Sequence, residues 1–391
     1  MQKLLRFGKA AAVTAVLGAL VLAGFFLFPE KLKPYDEAGL LSPKQSPYQG
    51  VLRVWQVNDW RVGSYSRTAL LQAAARRFEK QNIGVFIEAE NVTEELLARR
   101  LAAGEKPDVL SFPDGWTGIA ADELLNLGGA GLPALTDPFR RAFDRAPHAV
   151  AWMAGGQFVL TNSEVGRAVG VEPPPADNTW NAQALVDYTR AAATGRRKKP
   201  VTAMAGAAGL FEALALEGVT LSDLSAKGLL PATPYGMGID QARGVYTTGK
   251  CAVLLCTQWE AALMGRLAAK NKAFEYTVLP WPGGLRPCLS VQFASAFRSG
   301  DGSKDAASAA FIAALLSQTI QKDIANKACC LPVISLPEES MPQGEIEKML
   351  FAQLAPGRMP LPLVARDSQA VAAALGGDGA AAEKLRQRFI N

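Results

Sequence analysis

Histidine is almost absent from this chain, whose 391 residues include only His148. One imidazole cannot build a histidine-based metal cluster, and a Ser–His–Asp arrangement would have to use that single residue. The sequence also has no G-x-S-x-G, no H-E-x-x-H and no Walker loop. We therefore predict a protein that is not an enzyme, with no catalytic residues, no metal and no cofactor.

Two acids leave an enzymatic alternative open. Asp59 and Asp114 each follow a predicted strand, and a pair of carboxyl groups can cleave a glycoside. We favour the interpretation that they accept hydrogen bonds from ligand hydroxyls or cap the helices that follow them.

Cysteine is scarce, and its spacing does not suit a metal site. The five cysteines are Cys251, Cys256, Cys288, Cys329 and Cys330. They lie in apolar surroundings and have no C-x-x-C spacing, so a zinc site is not expected. The sequence predicts buried free thiols, with one disulfide left open as an alternative.

The folded part of the chain has little net charge. Five basic residues and one acidic residue up to Lys33 account for +4 of the net charge of +5, so the remainder carries about +1. A nucleic-acid surface needs basic side chains clustered on the folded part, so we predict no nucleic-acid partner. The basic run 196–199 is interpreted as a solvated loop.

The first 33 residues have the pattern of a membrane anchor or an export signal. Lys3, Arg6 and Lys9 precede an uncharged run from Ala10 to Phe28, which Pro29 ends. A run of this length can cross a bilayer as one helix. We predict an uncleaved single-pass anchor, with a cleaved signal as the alternative, and the main body on the extracytoplasmic side of the cell membrane. Residues 34–50 are predicted to form a tether.

A parallel sheet is predicted directly after the tether. Apolar residues cluster at Val51–Val57, Val85–Glu90 and Val109–Phe112, and the segments between them have helical periodicity. An alternation of strand and helix predicts parallel strands, whose binding sites lie beyond their carboxyl ends. Two predicted strand ends carry an acid beside an indole, at 58–60 and 114–116. Indole faces pack on sugar rings, and carboxylates bind hydroxyls, so this pattern favours a polar, uncharged ligand.

Several passages together resemble the extracellular solute-binding proteins of family 1, the maltose-binding-like components of bacterial ABC importers. They are Phe78-Glu79-Lys80, Gly104 with Pro107–Leu110, the strand that ends at Asn162, Asn178-Thr179-Trp180, Tyr246 with Thr248–Val253, the return strand Phe274–Pro280, and 306–333 with its ending Leu331-Pro332-Val333. Each passage is short, but together they run in the family's order from Val51 to Val333.

The resemblance implies an α/β fold with two lobes, each with a central mixed sheet, joined by a hinge. It places lobe I at residues 51–150 and 290–333, and lobe II at 151–289 and 334–391. The chain would cross between the lobes near Ala149–Gln157 and Val291–Phe297. We expect helices at 118–127 and 203–218, and a helix capped by Asp137.

The resemblance and the strand ends together give a set of candidate ligand-binding residues. They are Asn58, Asp59, Trp60, Asp114, Gly115, Trp116, Asn162, Trp259, Trp281 and Gln292. The resemblance implies a monomeric ectodomain that closes on a small solute, most often a sugar or short oligosaccharide, and delivers it to an ABC permease. The alternative is a membrane-tethered sensor or interaction module that kept this fold without a transport role.

Overall fold

The structure is a computed structural model that describes residues 44–57, 66–175, 180–195, 202–206, 208–232, 234–270, 273–283, 285–354 and 357–390. The predicted anchor, most of the tether and the candidates Asn58, Asp59 and Trp60 lie outside these ranges. Within them, no helix has the length and apolar character needed to cross a membrane.

The strands are β1 Lys44–Val57, β2 Asn82–Val92, β3 Val109–Pro113, β4 Val150–Gly155, β5 Gln157–Asn162, β6 Thr202–Gly206, β7 Cys251–Thr257, β8 Tyr276–Leu279, β9 Ser290–Ala296, β10 Met359–Pro360 and β11 Phe389–Ile390. The helices are α1 Arg67–Gln81, α2 Glu94–Ala102, α3 Phe139–Arg145, α4 Ser163–Arg167, α5 Ala182–Thr194, α6 Ala208–Leu216, α7 Ser222–Ala226, α8 Ile239–Thr247, α9 Gln258–Ala268, α10 Gly302–Leu315, α11 Gln318–Lys327, α12 Glu345–Ala352, α13 Ser368–Leu375 and α14 Gly379–Arg386. Short 3₁₀ turns lie at Ala121–Glu123 and Glu338–Ser340.

The first sheet has five strands in the order β2-β1-β3-β9-β4. β1 pairs in parallel with β2 and β3, as the sequence predicts, and β9 pairs antiparallel with β3 and β4. Helix α1 packs against this sheet because Leu70, Leu71, Ala74 and Phe78 recur on one face and are buried. The ring of Phe78 meets Phe311 of α10 edge-on at 5.5 Å between centroids.

The second sheet has four strands in the order β6-β7-β5-β8. β6 and β7 are parallel, whereas β5 pairs antiparallel with β7 and β8. Both sheets are therefore mixed, and the prediction of an α/β fold with two mixed sheets is confirmed. Consecutive strands β4 and β5 belong to different sheets, and so do β8 and β9.

The side chain of Gln353 binds the segment in which the chain passes from the first sheet to the second. Gly156 separates β4 from β5, and the backbone N–H of Gln157 donates to Oε1 of Gln353 at 2.8 Å. Nε2 of the same side chain donates to the carbonyl oxygen of Gln157 at 2.5 Å. A Cβ on Gly156 would lie 2.5 Å from the side chain of Leu350 in α12. The close approach of this backbone to α12 therefore requires glycine.

Four expectations about local structure are wrong. Residues 44–50, predicted as part of the tether, belong to β1 and pair in part with β2. Residues 203–206 form β6 and the helix begins only at Ala208, because small residues suit a fully buried strand as well as a helix. Residues 118–127 contain only the 3₁₀ turn, and Gly118 has a φ of +152°. Helix α3 begins after Pro138 without a side-chain cap, since Asp137 pairs with Arg140 instead.

Candidate functional site

The carboxyl ends of parallel strands define the candidate site. In the first sheet Asp114 follows β3 directly, and in the second sheet α6 and α9 begin directly after β6 and β7. Ligands of open α/β sheets bind beyond such ends, because loops and helix N-termini converge there.

Asp114 is buried, with 4% of its surface exposed. Its Oδ1 accepts from the backbone N–H of Val291 at 2.9 Å, and its own N–H donates to the carbonyl of Val291 at 2.8 Å. Its Oδ2 accepts from Arg366 Nη2 at 2.9 Å and from Arg388 Nη2. The carboxylate therefore joins the start of β9 to two arginines from the C-terminal part of the chain.

Arg388 also contacts helix α6, which follows β6 of the second sheet. Its Nη1 donates to Oε2 of Glu212, which lies on α6, and both side chains are almost fully buried. Arg366 Nε lies 4.0 Å from the same oxygen. We call Asp114, Glu212, Arg366 and Arg388 the charge cluster. It links a residue at the end of β3 to a helix that follows β6.

The two carboxyl groups of the charge cluster have opposite pKa shifts. Burial raises the pKa of Asp114, but the guanidinium groups of Arg366 and Arg388 outweigh it and hold the net pKa below its ordinary value. Burial also raises the pKa of Glu212, and there the same two arginines do not outweigh it, so the net pKa stays above its ordinary value. Asp114 is therefore the firmly ionised carboxylate of the cluster.

Gly115 and Trp116 support this arrangement. Gly115 has a φ of +82°, and a Cβ there would lie 3.1 Å from Arg366 and 3.2 Å from Arg388. Glycine thus meets both a backbone requirement and the close approach of the arginines. Trp116 is buried, and its ring lies 5.4 Å from that of Phe112 between centroids. Contact of either residue with a solute stays a prediction.

Gln292 lies in a buried polar group in the first sheet. Its Nε2 donates to the carbonyl of Val57 at 2.9 Å and to Oγ of Ser111 at 2.9 Å. Its Oε1 accepts from Arg67 at 2.5 Å, and Trp152 Nε1 donates to the same serine at 3.1 Å. The amide therefore holds the end of β1, directly before the predicted ligand loop at 58–60.

Asn162, at the end of β5, is also buried. Its Oδ1 accepts from the N–H of Val165 and so caps α4, while its Nδ2 donates to the carbonyl of Gly249 at 3.3 Å. Its backbone carbonyl accepts from Tyr188 at 2.8 Å. These contacts use both ends of the amide, and a role in ligand binding stays a prediction.

The two remaining indoles differ in exposure. Trp281 is buried, and its Nε1 has no hydrogen-bond partner among the described residues. Trp259 lies in the first turn of α9 and is half-buried. Its ring lies under the guanidinium groups of Arg243 and Arg266, at 4.6 and 5.9 Å from their central carbons.

Sequence reasoning missed Glu212, Arg366 and Arg388. One signal for Glu212 was available, because it is the only charged residue between Ala203 and Leu216. A charge within an apolar helix is expected to be paired when the helix is buried. The arginines have no such signal, since the C-terminal part of the chain contains other arginines in exposed pairs.

The cysteines are unpaired in the structure. Four are buried and Cys329 is half-buried. Among the described residues, no group of three or more histidines, cysteines and acids could hold a metal ion.

We expect the four buried thiols to resist modification in the native protein. Burial raises the pKa of Cys251 and of Cys330 to about 12, and burial with the neighbouring Glu347 raises that of Cys329 to about 12. Because the thiolate is the reacting species, titration with a thiol reagent at pH 8 should detect slow reaction of Cys329 alone. All five should react in denaturant without reductant. Detection of only three in denaturant would reveal a disulfide and contradict this assignment.

No protein-family model and no curated protein sequence matches the chain. Many solved structures match it.

Three of these structures span nearly the whole chain. The GacH receptor of Streptomyces glaucescens, solved unliganded and with acarbose, has a TM-score of 0.61 and 19% identity, and the match covers 88% of this chain and 99% of the receptor. The cyclic alpha-maltosyl-1,6-maltose binding protein from Arthrobacter globiformis has a TM-score of 0.61, 17% identity and coverages of 86% and 96%. An ABC substrate-binding protein from Listeria monocytogenes, in complex with cycloalternan, has a TM-score of 0.61, 14% identity and coverages of 87% and 99%. By its fold, this chain is therefore similar to these three proteins.

Proposed function

We propose that the protein captures a small polar solute, a sugar or a short oligosaccharide, between its two lobes and delivers it to an ABC permease. The observation that carries this proposal is the similarity in fold over nearly the full length of three binding proteins. These proteins were solved with, or are named for, acarbose, cyclic alpha-maltosyl-1,6-maltose and cycloalternan, which share hydroxyl-rich rings. The proposal includes no catalytic step.

The two lobes are proposed to be residues 51–150 with 290–333, and 151–289 with 334–391. In support, β9 lies in the first sheet, and β5 and β8 lie in the second. β4 (Val150–Gly155) also lies in the first sheet, so we move the first proposed boundary from residue 150 to Gly155. The C-terminal helices α13 and α14 pack on α6, which agrees with their assignment to lobe II. Hinge closure would occur where the chain passes between the sheets, near Gly155–Gln157 and Leu279–Ser290. This corrects the second expected crossover, Val291–Phe297, because Ser290–Ala296 is strand β9 within the first sheet.

The solute is proposed to contact the ends of the parallel strands. Among the described candidates Gly115 and Trp259 are half-buried, whereas Asp114, Trp116, Asn162, Trp281 and Gln292 are buried. An indole can pack on the apolar face of a sugar ring. Trp259 is the half-buried indole among the described candidates, so it is proposed to touch the solute, beside the guanidinium groups of Arg243 and Arg266 that lie over its ring. Trp60, beyond the end of β1, is proposed as the second indole.

The N-terminal apolar run is proposed to tether the protein to the membrane as a single pass. The supporting observation is the sequence itself, with three basic residues before Ala10–Phe28 and a polar segment after it. This arrangement would hold a monomeric ectodomain on the extracytoplasmic side, close to a permease.

A ligand panel tests the function. The full chain in detergent is heated with sugars, polyols, amino acids and peptides, and the melting temperature is followed. A ligand that binds only the native state stabilises it by about 2.7 kcal/mol at a hundredfold excess over its dissociation constant. We expect a saturable rise with one class of sugar.

The variants Trp60→Ala and Trp259→Ala should weaken that binding at least tenfold, because each removes a stacking surface. Phe86→Ala is the matched control, since Phe86 is an aromatic residue on edge strand β2 with 62% of its surface exposed. No shift across the whole panel from folded protein would overturn the proposal and favour a tethered interaction module.

A further inference from the structure

We propose that the solute is an acidic sugar, whose carboxylate binds Arg266 while its ring packs on Trp259. This inference names the substrate class for the proposed function, and it rests on that function. Both residues lie on α9, the helix that begins directly after β7. The sequence pattern favoured an uncharged ligand because it showed no cation beside an indole, and the structure adds one.

The side chain of Arg266 extends back along α9 toward the end of β7. Its backbone lies about two helical turns after Trp259, or about 10 Å further along the helix axis. The central carbon of its guanidinium nevertheless lies 5.9 Å from the centroid of the indole. Side chains of a helix tilt toward its N-terminus, so the charge of Arg266 comes close to the carboxyl end of the strand, where ligands bind in this type of sheet.

The start of α9 faces the first lobe. Gln258, which precedes Trp259, donates through Nε2 to Sγ of Cys330 at 3.2 Å. The next residue after this cysteine, Leu331, forms a bridge with Ala154 of β4 in the first sheet. The indole of Trp259 is therefore placed where the second lobe approaches the first, which is the position that a solute between two lobes requires.

The other charged groups beside this indole have partners within the chain. The guanidinium carbon of Arg243 lies 4.6 Å from the ring centroid, and its Nη2 pairs with Asp240 at 2.6 Å. Glu260 accepts from the hydroxyl of Thr257 at 2.6 Å and from its backbone N–H at 3.1 Å. These contacts close the first turn of α9, so the helix N-terminus is not left to bind an anion.

Arg266 differs because no carboxylate among the described residues forms an ion pair with it. Its charge acts on the thiol of Cys329, where it opposes the rise in pKa that burial and Glu347 cause. Glu347 itself accepts from that thiol at 3.3 Å. Arg266 is exposed, so its guanidinium can bind an anionic group on a solute that touches Trp259.

A sugar acid has the two features that this pair of side chains recognises. Its ring offers an apolar face to the indole, and its carboxylate is a planar acceptor that matches the parallel N–H donors of a guanidinium. Closure of the lobes would remove water from the contact and strengthen the attraction between the charges. An acidic sugar thus gains a contact that a neutral sugar of the same shape lacks.

Pairs of sugars that differ in charge but share their rings test the inference. Trigalacturonate and trimannuronate are titrated, each beside its methyl ester, into the full chain in detergent, and binding is measured by calorimetry. We expect one of the acids to bind at least about tenfold more tightly than its ester, because only the acid makes a charge-assisted hydrogen bond. Added sodium chloride should weaken the binding of the acid and not that of the ester, since salt screens the charges.

Arg266→Met removes the charge but keeps an unbranched side chain. It should weaken the binding of the acid at least about tenfold and change the binding of the ester less than about twofold. The matched control is Arg386→Met, since Arg386 is an exposed arginine paired with Glu383, and it should change neither. Arg266→Gln serves if the methionine variant does not fold, and circular dichroism confirms the folding of each.

The outcomes separate this inference from the proposed function. An ester or a neutral sugar that binds the wild type as tightly as the acids, or more tightly, would overturn the inference and leave solute capture intact. A preference for the acid that persists in folded Arg266→Met or Arg266→Gln would also overturn it. No binding of any sugar, acidic or neutral, would overturn both.

Discussion

Asp114→Ala should lower the free energy of unfolding by about 3–5 kcal/mol, the usual cost of removing one partner from a buried ion pair. The variant leaves the guanidinium groups of Arg366 and Arg388 without their shared carboxylate. It also removes the acceptor of the backbone N–H of Val291, at the start of β9. Chemical denaturation followed by circular dichroism measures the change as a shift in midpoint at constant slope.

The matched control for this loss is Asp122→Ala. Asp122 lies in the 3₁₀ turn after β3 and is exposed, so its removal should change the free energy of unfolding by less than about 0.5 kcal/mol. An equal effect of the two substitutions would show that the charge cluster contributes little to stability.

The second large effect is expected at Trp152. This indole on β4 has no exposed surface and belongs to the largest fully buried side chains of the protein. Trp152→Ala should lower the free energy of unfolding by about 3–5 kcal/mol, because it removes apolar contacts and leaves a cavity. The change is measured as a shift in the denaturation midpoint of the full chain. The measurement is made with and without the solute identified in the ligand panel.

Trp152→Phe separates packing from hydrogen bonding at the same position. The ring is largely retained, but the hydrogen bond from Nε1 to Ser111 is lost, and that serine also accepts from Gln292. The expected loss is about 1–3 kcal/mol, the cost of a disrupted buried hydrogen bond. A loss as large as that of the alanine variant would mean that the polar group, and not the volume, dominates this part of the core.

The part of the fold that follows from local patterns could be predicted from the sequence. Alternating strand and helix segments between Val51 and Phe112 indicated parallel pairing, and the structure has it. The error at 203–206 has a physical cause, since Thr-Ala-Met-Ala-Gly lacks the large side chains whose spacing separates strand from helix. Burial on both faces comes from the neighbours of β6, which lie far away in the sequence.

The candidate site could be predicted only in outline. The strand end at Asp114 was identified because carboxyl ends of parallel strands carry binding residues in this type of sheet. Its partners Arg366 and Arg388 are more than 250 residues further along the chain. Such pairs depend on the packing of whole lobes, and no periodicity of a short segment encodes them.

The position of β9 within the first sheet has a consequence for the order of folding. β9 lies between β3 and β4, although it follows them by well over a hundred residues. While the chain emerges from the ribosome, both of these strands have an open edge until residues 290–296 arrive. Non-local pairing of this kind slows folding, and open edges favour association with other chains. The first lobe therefore cannot mature before β9 has been made, and a chain that crosses a membrane during synthesis would complete both lobes late, on the far side.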